Sequence, residues 1–140
     1  MIVKGITIHN TGNDLTAREL FDIIYARKQT KLCHYLIDEC SIVRCTPETE
    51  EATHTGKGYD FGNRFTLAIE ICRSTSDLEL YMKAQNNAVQ FIKQLMKKYN
   101  LTTSDLYFHR DFDSGNPCPH RILELYKTKG EFINGCIIQG

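Results

Sequence analysis

Short apolar segments with a two-residue period alternate along the chain with longer segments of helical period. Gly5 to His9 predicts a strand, because Ile6 and Ile8 face one side while Thr7 and His9 face the other. The clearest alternation runs from Phe65 to Cys72, with four large apolar side chains on one face. Three further short strands are predicted over residues 34–38, 41–46 and 106–109, the first two forming a hairpin.

Capping residues mark where the helices begin. Thr16 and Glu19 form a capping box, so a helix is expected from there to about Lys28. Ser76 and Asp77 can cap the longest helix, which should end near Tyr99. Two other segments complete the pattern: a long polar loop over residues 47–63 and a short helix from Pro119 through Leu125. The order predicts a mixed α/β fold, a central sheet of about five strands flanked by helices, with residues 1–140 forming one domain.

The charge balance disfavours two classes of partner. The chain has 17 basic and 17 acidic side chains, so it lacks the cationic excess that usually binds nucleic acid. No segment approaches the roughly 20 apolar residues of a membrane-spanning helix. We therefore expect no nucleic-acid partner, no membrane partner and a monomeric protein. The N-terminal residues lack the pattern of a signal peptide, which predicts a protein made in the cytoplasm.

The six cysteines are not arranged like a disulfide framework. Frameworks of that kind are usually found in shorter, loop-rich exported chains. Cys33, Cys45 and Cys72 lie in or beside apolar segments, where cysteine behaves as a small buried side chain. Cys118 differs because its neighbours are polar and turn-forming, so it calls for another explanation.

Two histidines and Cys118 suit a metal ion. His9 and His109 each end a predicted strand just before a polar loop, and Cys118 follows His109 by nine residues. Two imidazoles and one thiolate are good zinc ligands, and three protein ligands leave the fourth position open to water, as in catalytic sites. The pattern alone also fits ordinary hydrogen-bonded histidines. A closed structural zinc site is a further alternative, with His120 as the fourth ligand.

Six short segments carry a combined pattern along the chain. They are ITIHNT (6–11), HYLID (34–38), ATHTG (52–56), NR with AIEIC (63–64, 68–72), FHRD (108–111) and NPCPHR (116–121). In this order they resemble the type-2 N-acetylmuramoyl-L-alanine amidases, a family that includes phage endolysins and peptidoglycan recognition proteins. The resemblance is closest to catalytic domains of endolysins from phages of Gram-positive bacteria, and it runs from about Ile6 to Leu123.

The resemblance implies a zinc hydrolase that cuts peptidoglycan between N-acetylmuramic acid and L-alanine. It implies that Zn²⁺ is held by His9, His109 and Cys118 and that Glu70 is catalytic. On the sequence alone, Glu70 shares its strand face with small residues, which leaves space for a substrate, and burial there would raise its pKa. Roles in substrate binding follow for three further residues: His54, Asn63 and Asn116. His34 is expected to be a structural residue under the sheet.

Two departures from the family pattern affect the expected site. Many relatives have Lys where this chain has Asn116, and His120 is the obvious substitute donor, so His120 is expected to be catalytic. Thr53 stands where the family usually has Trp. The resemblance implies a phage or prophage endolysin or an autolysin, acting on the cell wall after release through a holin or by lysis. The alternative is a peptidoglycan-binding module without activity.

Overall fold

Five strands form one sheet at the centre of the molecule. The computed structural model describes residues 1–27, 31–56 and 60–140. The strands are β1 (Gly5–Asn10), β2 (Tyr35–Ile37), β3 (Ile42–Arg44), β4 (Thr66–Ile71) and β5 (Leu106–Phe108). Their order is β3-β2-β4-β1-β5. Strand β3 is antiparallel to β2, and all other neighbours are parallel. The mixed α/β fold and the five predicted strands are thereby confirmed.

Helices cover both faces of this sheet. They are α1 (Ala17–Ala26), α2 (Phe61–Phe65), α3 (Leu78–Lys98), α4 (His109–Phe112), α5 (His120–Tyr126) and α6 (Lys129–Phe132), with a 3₁₀ turn at Thr103–Asp105 and a π-helical segment at Ile133–Ile138. The predicted capping box of Thr16 and Glu19 is formed, and Asp77 caps α3. The expected end of the first helix near Lys28 lies outside the described residues. The short helices α2, α4 and α6 were not predicted.

The predicted alternation divides the core into two layers. On one face, Ile6, Ile8 and the large apolar residues of β4 pack with α3. On the other face, the small side chains Ala68 and Cys72 pack with Leu36 and with α1. Both faces of the sheet are thus covered, as is usual for a largely parallel sheet. The small residues leave room between the sheet and α1.

One carboxylate joins the hairpin to α1. Asp38, which is 3% exposed, follows directly after β2. Its Oδ1 accepts hydrogen bonds from the amides of Cys40 (2.9 Å) and Ser41 (2.7 Å). Its Oδ2 accepts one from the Ala17 amide at 2.8 Å, in the first turn of α1. These bonds satisfy the buried amide of Ala17 and the two turn amides, and they fix α1 relative to the sheet edge.

Two further findings concern the chain as described. None of the described helices combines the length and apolar character needed to cross a membrane. All six cysteines are free thiols, and Cys33 and Cys72 are buried as expected for small core side chains.

Candidate metal centre

The site lies at the carboxyl ends of three neighbouring parallel strands. His9 is next to last in β1 and lies directly opposite Glu70 of β4 in the strand register. His109 follows immediately after β5, on the other side of β1. In open α/β sheets, side chains at the carboxyl ends of parallel strands project into a common crevice. The sheet order therefore brings together residues that lie about 100 positions apart.

The predicted metal ligands converge. One ligand atom from each of His9, His109 and Cys118 lies within 4.8 Å of the other two. The His9 Nδ1 atom is 3.6 Å from the Cys118 Sγ atom. Tetrahedral zinc with the usual bond lengths holds its ligand atoms about 3.3–3.6 Å apart. Small side-chain movements would close this group around an ion. It is the one such group of three found among residues 1–27, 31–56 and 60–140.

His9 is held from both sides of its ring. Its Nε2 lies 2.9 Å from the Nδ1 atom of His54. Its Nδ1 faces Cys118 and is 3.8 Å from the Glu70 carboxylate. Burial lowers the pKa of His9 well below its usual value, and the neighbouring rings of His54 and His109 lower it further. The neutral imidazole that results is the form that binds metal ions.

His109 contributes an unpartnered nitrogen to the group. Its Nε2 atom is buried and has no hydrogen-bond partner among the described residues. The backbone of Thr55 accepts a hydrogen bond from this ring, and burial lowers the pKa of His109. Buried polar atoms are almost always satisfied, so an orphaned imidazole nitrogen next to a thiol and a second imidazole fits a metal ligand.

Backbone amides position Cys118. The Asn10 amide points at the Sγ atom from 3.4 Å, and the Asn116 Oδ1 atom accepts from the Cys118 amide at 2.9 Å. Burial, followed by the nearby charge of Glu70, raises the pKa of Cys118 to about 12. A cation within the group would favour the thiolate and lower this pKa. The donor set therefore suits a zinc ion, and the thiol becomes a good ligand only in its presence.

Glu70 lies beside the three ligands at the edge of a groove. Its side chain is 20% exposed, and burial raises its pKa to about 8. The groove has a volume of about 230 Å³ and lies between α1 and the sheet. Besides Glu70, its walls are Thr11, Leu20, Ile23, Ile24, Arg27, Leu32, Cys33 and Leu36. Glu70 is the β4 residue that lines this groove, whereas the small residues Ala68 and Cys72 are buried in the core beside it.

The residues predicted to contact substrate have protein partners in this structure. His54 is 8% exposed and Asn63 is 3% exposed. The Asn63 Oδ1 atom accepts hydrogen bonds from the amides of His54 (2.8 Å) and Thr55 (3.0 Å). Asn116 likewise binds the Cys118 amide, as described above. These contacts position the loops around the metal ligands, and the substrate-binding roles stay predictions.

His120 stands apart from the three ligands. Its Nε2 lies 2.9 Å from the Ser74 Oγ atom, which accepts a hydrogen bond from the Gly12 amide at 2.7 Å. His120 is not part of the group of three ligand atoms. The structure therefore gives no support to a closed site with His120 as the fourth ligand, and its catalytic role stays a prediction. As expected, His34 is a buried structural residue whose Nδ1 accepts from the Ala68 amide at 2.9 Å.

Sequence reasoning missed the role of Asn10. This side chain is 7% exposed and accepts hydrogen bonds from the amides of Arg121 (3.0 Å) and Ile122 (3.2 Å) in the first turn of α5. It also donates to the Tyr81 hydroxyl at 3.1 Å. Asn10 thereby fixes the segment that carries Cys118 next to β1. The only signal in the sequence was its position directly after His9.

Comparison with known proteins finds one matching family and relatives that carry its name. The sequence pattern of the N-acetylmuramoyl-L-alanine amidase family matches residues 1–121. The chain is 34% identical over 124 residues to the N-acetylmuramoyl-L-alanine amidase CwlA of Bacillus subtilis (strain 168), a match covering 88% of this chain and 45% of that protein. It is 35% identical over 124 residues to the amidase XlyB of the same strain, covering 88% of this chain and 39% of that protein.

Solved structures share the fold. The structure of PlyL matches with a TM-score of 0.86 and 33% identity, covering 94% of this chain and 82% of that one. The catalytic domain of XlyA matches with a TM-score of 0.81 and 29% identity, covering 94% of this chain and 86% of that one. This chain spans less than half the length of the curated relatives CwlA and XlyB. Because the family pattern extends over residues 1–121, the chain belongs to the N-acetylmuramoyl-L-alanine amidase family.

Proposed function

We propose that this chain is a zinc-dependent N-acetylmuramoyl-L-alanine amidase. It would hydrolyse the amide bond between N-acetylmuramic acid and the L-alanine of the stem peptide in bacterial peptidoglycan. The convergence of His9, His109 and Cys118 beside Glu70 carries the proposal, in a chain of this family. The named activity of CwlA and XlyB supports the same reaction. The site of action would be the cell wall, reached through a holin or by lysis.

The three ligand residues fit one zinc ion with an open coordination position. His9, His109 and Cys118 supply two imidazoles and a thiol, and the buried Nε2 atom of His109 is available to a ligand. When bound, zinc would act as a Lewis acid that activates water and polarises the scissile carbonyl. The protein contributes the fixed positions of the three side chains and a partly buried crevice around them.

Glu70 is the proposed proton carrier of the reaction. Its carboxylate lies 3.8 Å from the ligand nitrogen of His9, on the face of the sheet that borders the groove. A cation held by the three ligand residues would lower the raised pKa of this carboxyl group and favour the carboxylate. We assign the carboxylate to accept a proton from the attacking water and to deliver it to the nitrogen of the departing alanine. The amide C–N bond then breaks, which leaves a carboxylate on the lactyl group and a free amino group on the peptide.

The groove between α1 and the sheet is the proposed position of the stem peptide. Its walls are largely apolar, and Glu70 is one of the residues that line it. His120 is the proposed donor to the developing oxyanion, and Asn116 a further contact to the substrate. His54 and Asn63 belong to the proposed substrate-binding set through the segment they hold in place, because Asn63 accepts from the His54 and Thr55 amides.

The test measures bound zinc and newly exposed alanine amino groups on the same samples. Wild type should bind one zinc per chain and release amines from cell-wall material. Glu70→Gln should keep the zinc and lose activity by about 100-fold or more, because the proton acceptor is gone while the ligands remain. Glu79→Gln removes a carboxylate that is 85% exposed on α3 and is the matched control, with unchanged activity expected.

Two results would contradict the proposal. If wild type binds zinc and cell wall but exposes no new amino groups, the chain is a peptidoglycan-binding module without activity. If it binds no zinc, the assignment of His9, His109 and Cys118 as ligands is wrong.

A further inference from the structure

His54 connects a proposed metal ligand to the backbone of the short helix α2. The Nδ1 atom of His54 lies 2.9 Å from the Nε2 atom of His9. On the other side of the same ring, Nε2 lies 3.1 Å from the carbonyl oxygen of Gly62. His54 is 8% exposed and His9 is 2% exposed, so both hydrogen bonds are shielded from water.

The hydrogen bonds determine which ring nitrogen carries the hydrogen, first in His54 and then in His9. The Gly62 carbonyl can only accept, so the His54 Nε2 atom must carry a hydrogen. Burial favours the neutral imidazole, which has one hydrogen, so the His54 Nδ1 atom is an acceptor. The His9 Nε2 atom must then donate to it. The remaining nitrogen of His9, Nδ1, carries a free electron pair and faces Cys118 Sγ at 3.6 Å.

We propose that His54 is a positioning residue that holds His9 in the Nε2–H tautomer and so presents Nδ1 to the metal. The inference rests on the proposed zinc site. In metal centres, the second ring nitrogen of a histidine ligand commonly donates to a fixed acceptor, which sets the orientation and tautomer of the ring. Here a second histidine provides that acceptor, and a backbone carbonyl fixes the tautomer of this second ring.

The loop around His54 is built to keep this acceptor in place. Asn63 Oδ1 accepts from the His54 and Thr55 amides, and the Asp60 carboxylate accepts from the Thr55 hydroxyl at 2.6 Å. Gly62 has no side chain at a position where a Cβ atom would lie 2.5 Å from Thr55 Cγ2. Gly62, whose carbonyl orients His54, is therefore packed directly against Thr55, the residue that follows His54.

Nitrogen NMR of the histidine rings tests the tautomer directly. Long-range ¹H–¹⁵N spectra distinguish a protonated ring nitrogen from one with a free electron pair. In both zinc-loaded and metal-free wild type, the His9 Nε2 atom should carry the hydrogen. In the metal-free protein, Nδ1 should show the free electron pair. A hydrogen on His9 Nδ1 in either form would overturn the proposal.

Two variants of His54 then distinguish the effect of losing the hydrogen-bond acceptor from the effect of changing the side-chain volume. His54→Leu removes the acceptor, and we expect zinc affinity to fall about 10- to 100-fold, the usual effect of losing such a partner. His54→Asn can place an amide oxygen near the Nδ1 position, and affinity should return to within a few-fold of wild type. Zinc affinity is measured by competition with a chelator on samples whose amide spectra show a folded chain.

His34→Leu is the matched control for losing a buried histidine. His34 is 0% exposed, and its two ring nitrogens are hydrogen-bonded to backbone groups, Ala68 N–H and Glu50 C=O. This variant should lose stability but keep its zinc affinity. Equal losses of affinity in His34→Leu and His54→Leu, or none in His54→Leu, would overturn the role of His54. If cell-wall assays fail while these metal and NMR results hold, the amidase proposal falls and the His54 assignment stands.

Discussion

The ligand residues illustrate how a local environment controls side-chain chemistry. Cys118 is a thiol with a raised pKa in the protein without metal, because burial and Glu70 both disfavour its negative charge. The same burial keeps His9 neutral, with a nitrogen available to a ligand. A zinc ion would offset the cost of forming the thiolate, so binding should depend steeply on having all three ligands present.

Replacing Cys118 should therefore remove the metal. Cys118→Ser retains the size of the side chain but replaces the soft sulfur ligand, and zinc affinity should fall by at least about 100-fold, with loss of activity. Cys40→Ser changes an exposed cysteine and should leave zinc content and activity as in wild type. Zinc per chain after dialysis against a weak chelator is the measurement. A Cys118→Ser protein that retains full zinc would contradict this assignment.

An ion pair away from the metal centre gives a prediction for acid stability. Arg73 donates to both carboxylate oxygens of Glu39, at 3.0 and 2.8 Å, and these hydrogen bonds lower the pKa of Glu39. Because the folded-state pKa is lower than the unfolded one, the stabilisation is complete above the unfolded pKa of about 4.3 and disappears as pH falls through the folded pKa.

Glu39→Gln should lower the free energy of unfolding at pH 7 by about 1.5–3 kcal/mol, through loss of hydrogen bonds to a charged group. The difference from wild type should shrink as the pH falls below about 4. Urea unfolding at pH 7 and at a pH below about 4 measures the difference in the free energy of unfolding between wild type and variant. A difference that stays constant with pH would show that the pair does not act through the charge of Glu39.

At the scale of elements, strand alternation and helix caps predicted where most of the secondary structure lies. The alternation of β4 correctly separated the side chains facing α3 from those facing α1. The short helices α2 and α4 escaped prediction because segments of five and four residues are too brief to show a helical period. His109 was expected at a strand end, and the structure places it as the first residue of α4.

The contact of Asp38 with α1 also depends on packing between elements. Asp38→Ala would leave three amides without their acceptor, and we expect a loss of about 2–4 kcal/mol in the free energy of unfolding. Asp38→Asn keeps one acceptor oxygen and should lose less. Urea unfolding monitored by circular dichroism compares them. Equal losses for both variants would mean that the hydrogen bonds of this side chain are not what stabilises the junction.

For the whole molecule, a bound zinc would join segments from opposite ends of the sequence. His9 lies in β1, whereas His109 and Cys118 follow β5. A ligand that binds only the folded state stabilises it, by about 2.7 kcal/mol when its concentration is a hundred times Kd. Zinc should therefore stabilise the entire domain and not only the loops that surround it.

When zinc is present at about a hundred times Kd, removing it with a strong chelator should lower the melting temperature of wild type by roughly 5–10 °C. Cys118→Ser should melt at the same temperature with and without the chelator. Differential scanning calorimetry provides both values. An unchanged melting temperature in wild type would contradict a metal linking β1 to the end of β5.

The sequence by itself determined the strands and the long helices, because alternation and capping are local properties. Its resemblance to the amidase family, and not spacing alone, pointed to His9, His109, Cys118 and Glu70 as the candidate site. Only the tertiary structure decided which strand ends are neighbours, since the order β4-β1-β5 is set by packing between distant segments. It also revealed buried hydrogen bonds that join His54 to His9, Asn63 to the His54 amide and Asn10 to the Ile122 amide. Such contacts join residues far apart in the chain, and their distances follow from the folded backbone rather than from spacing along the sequence.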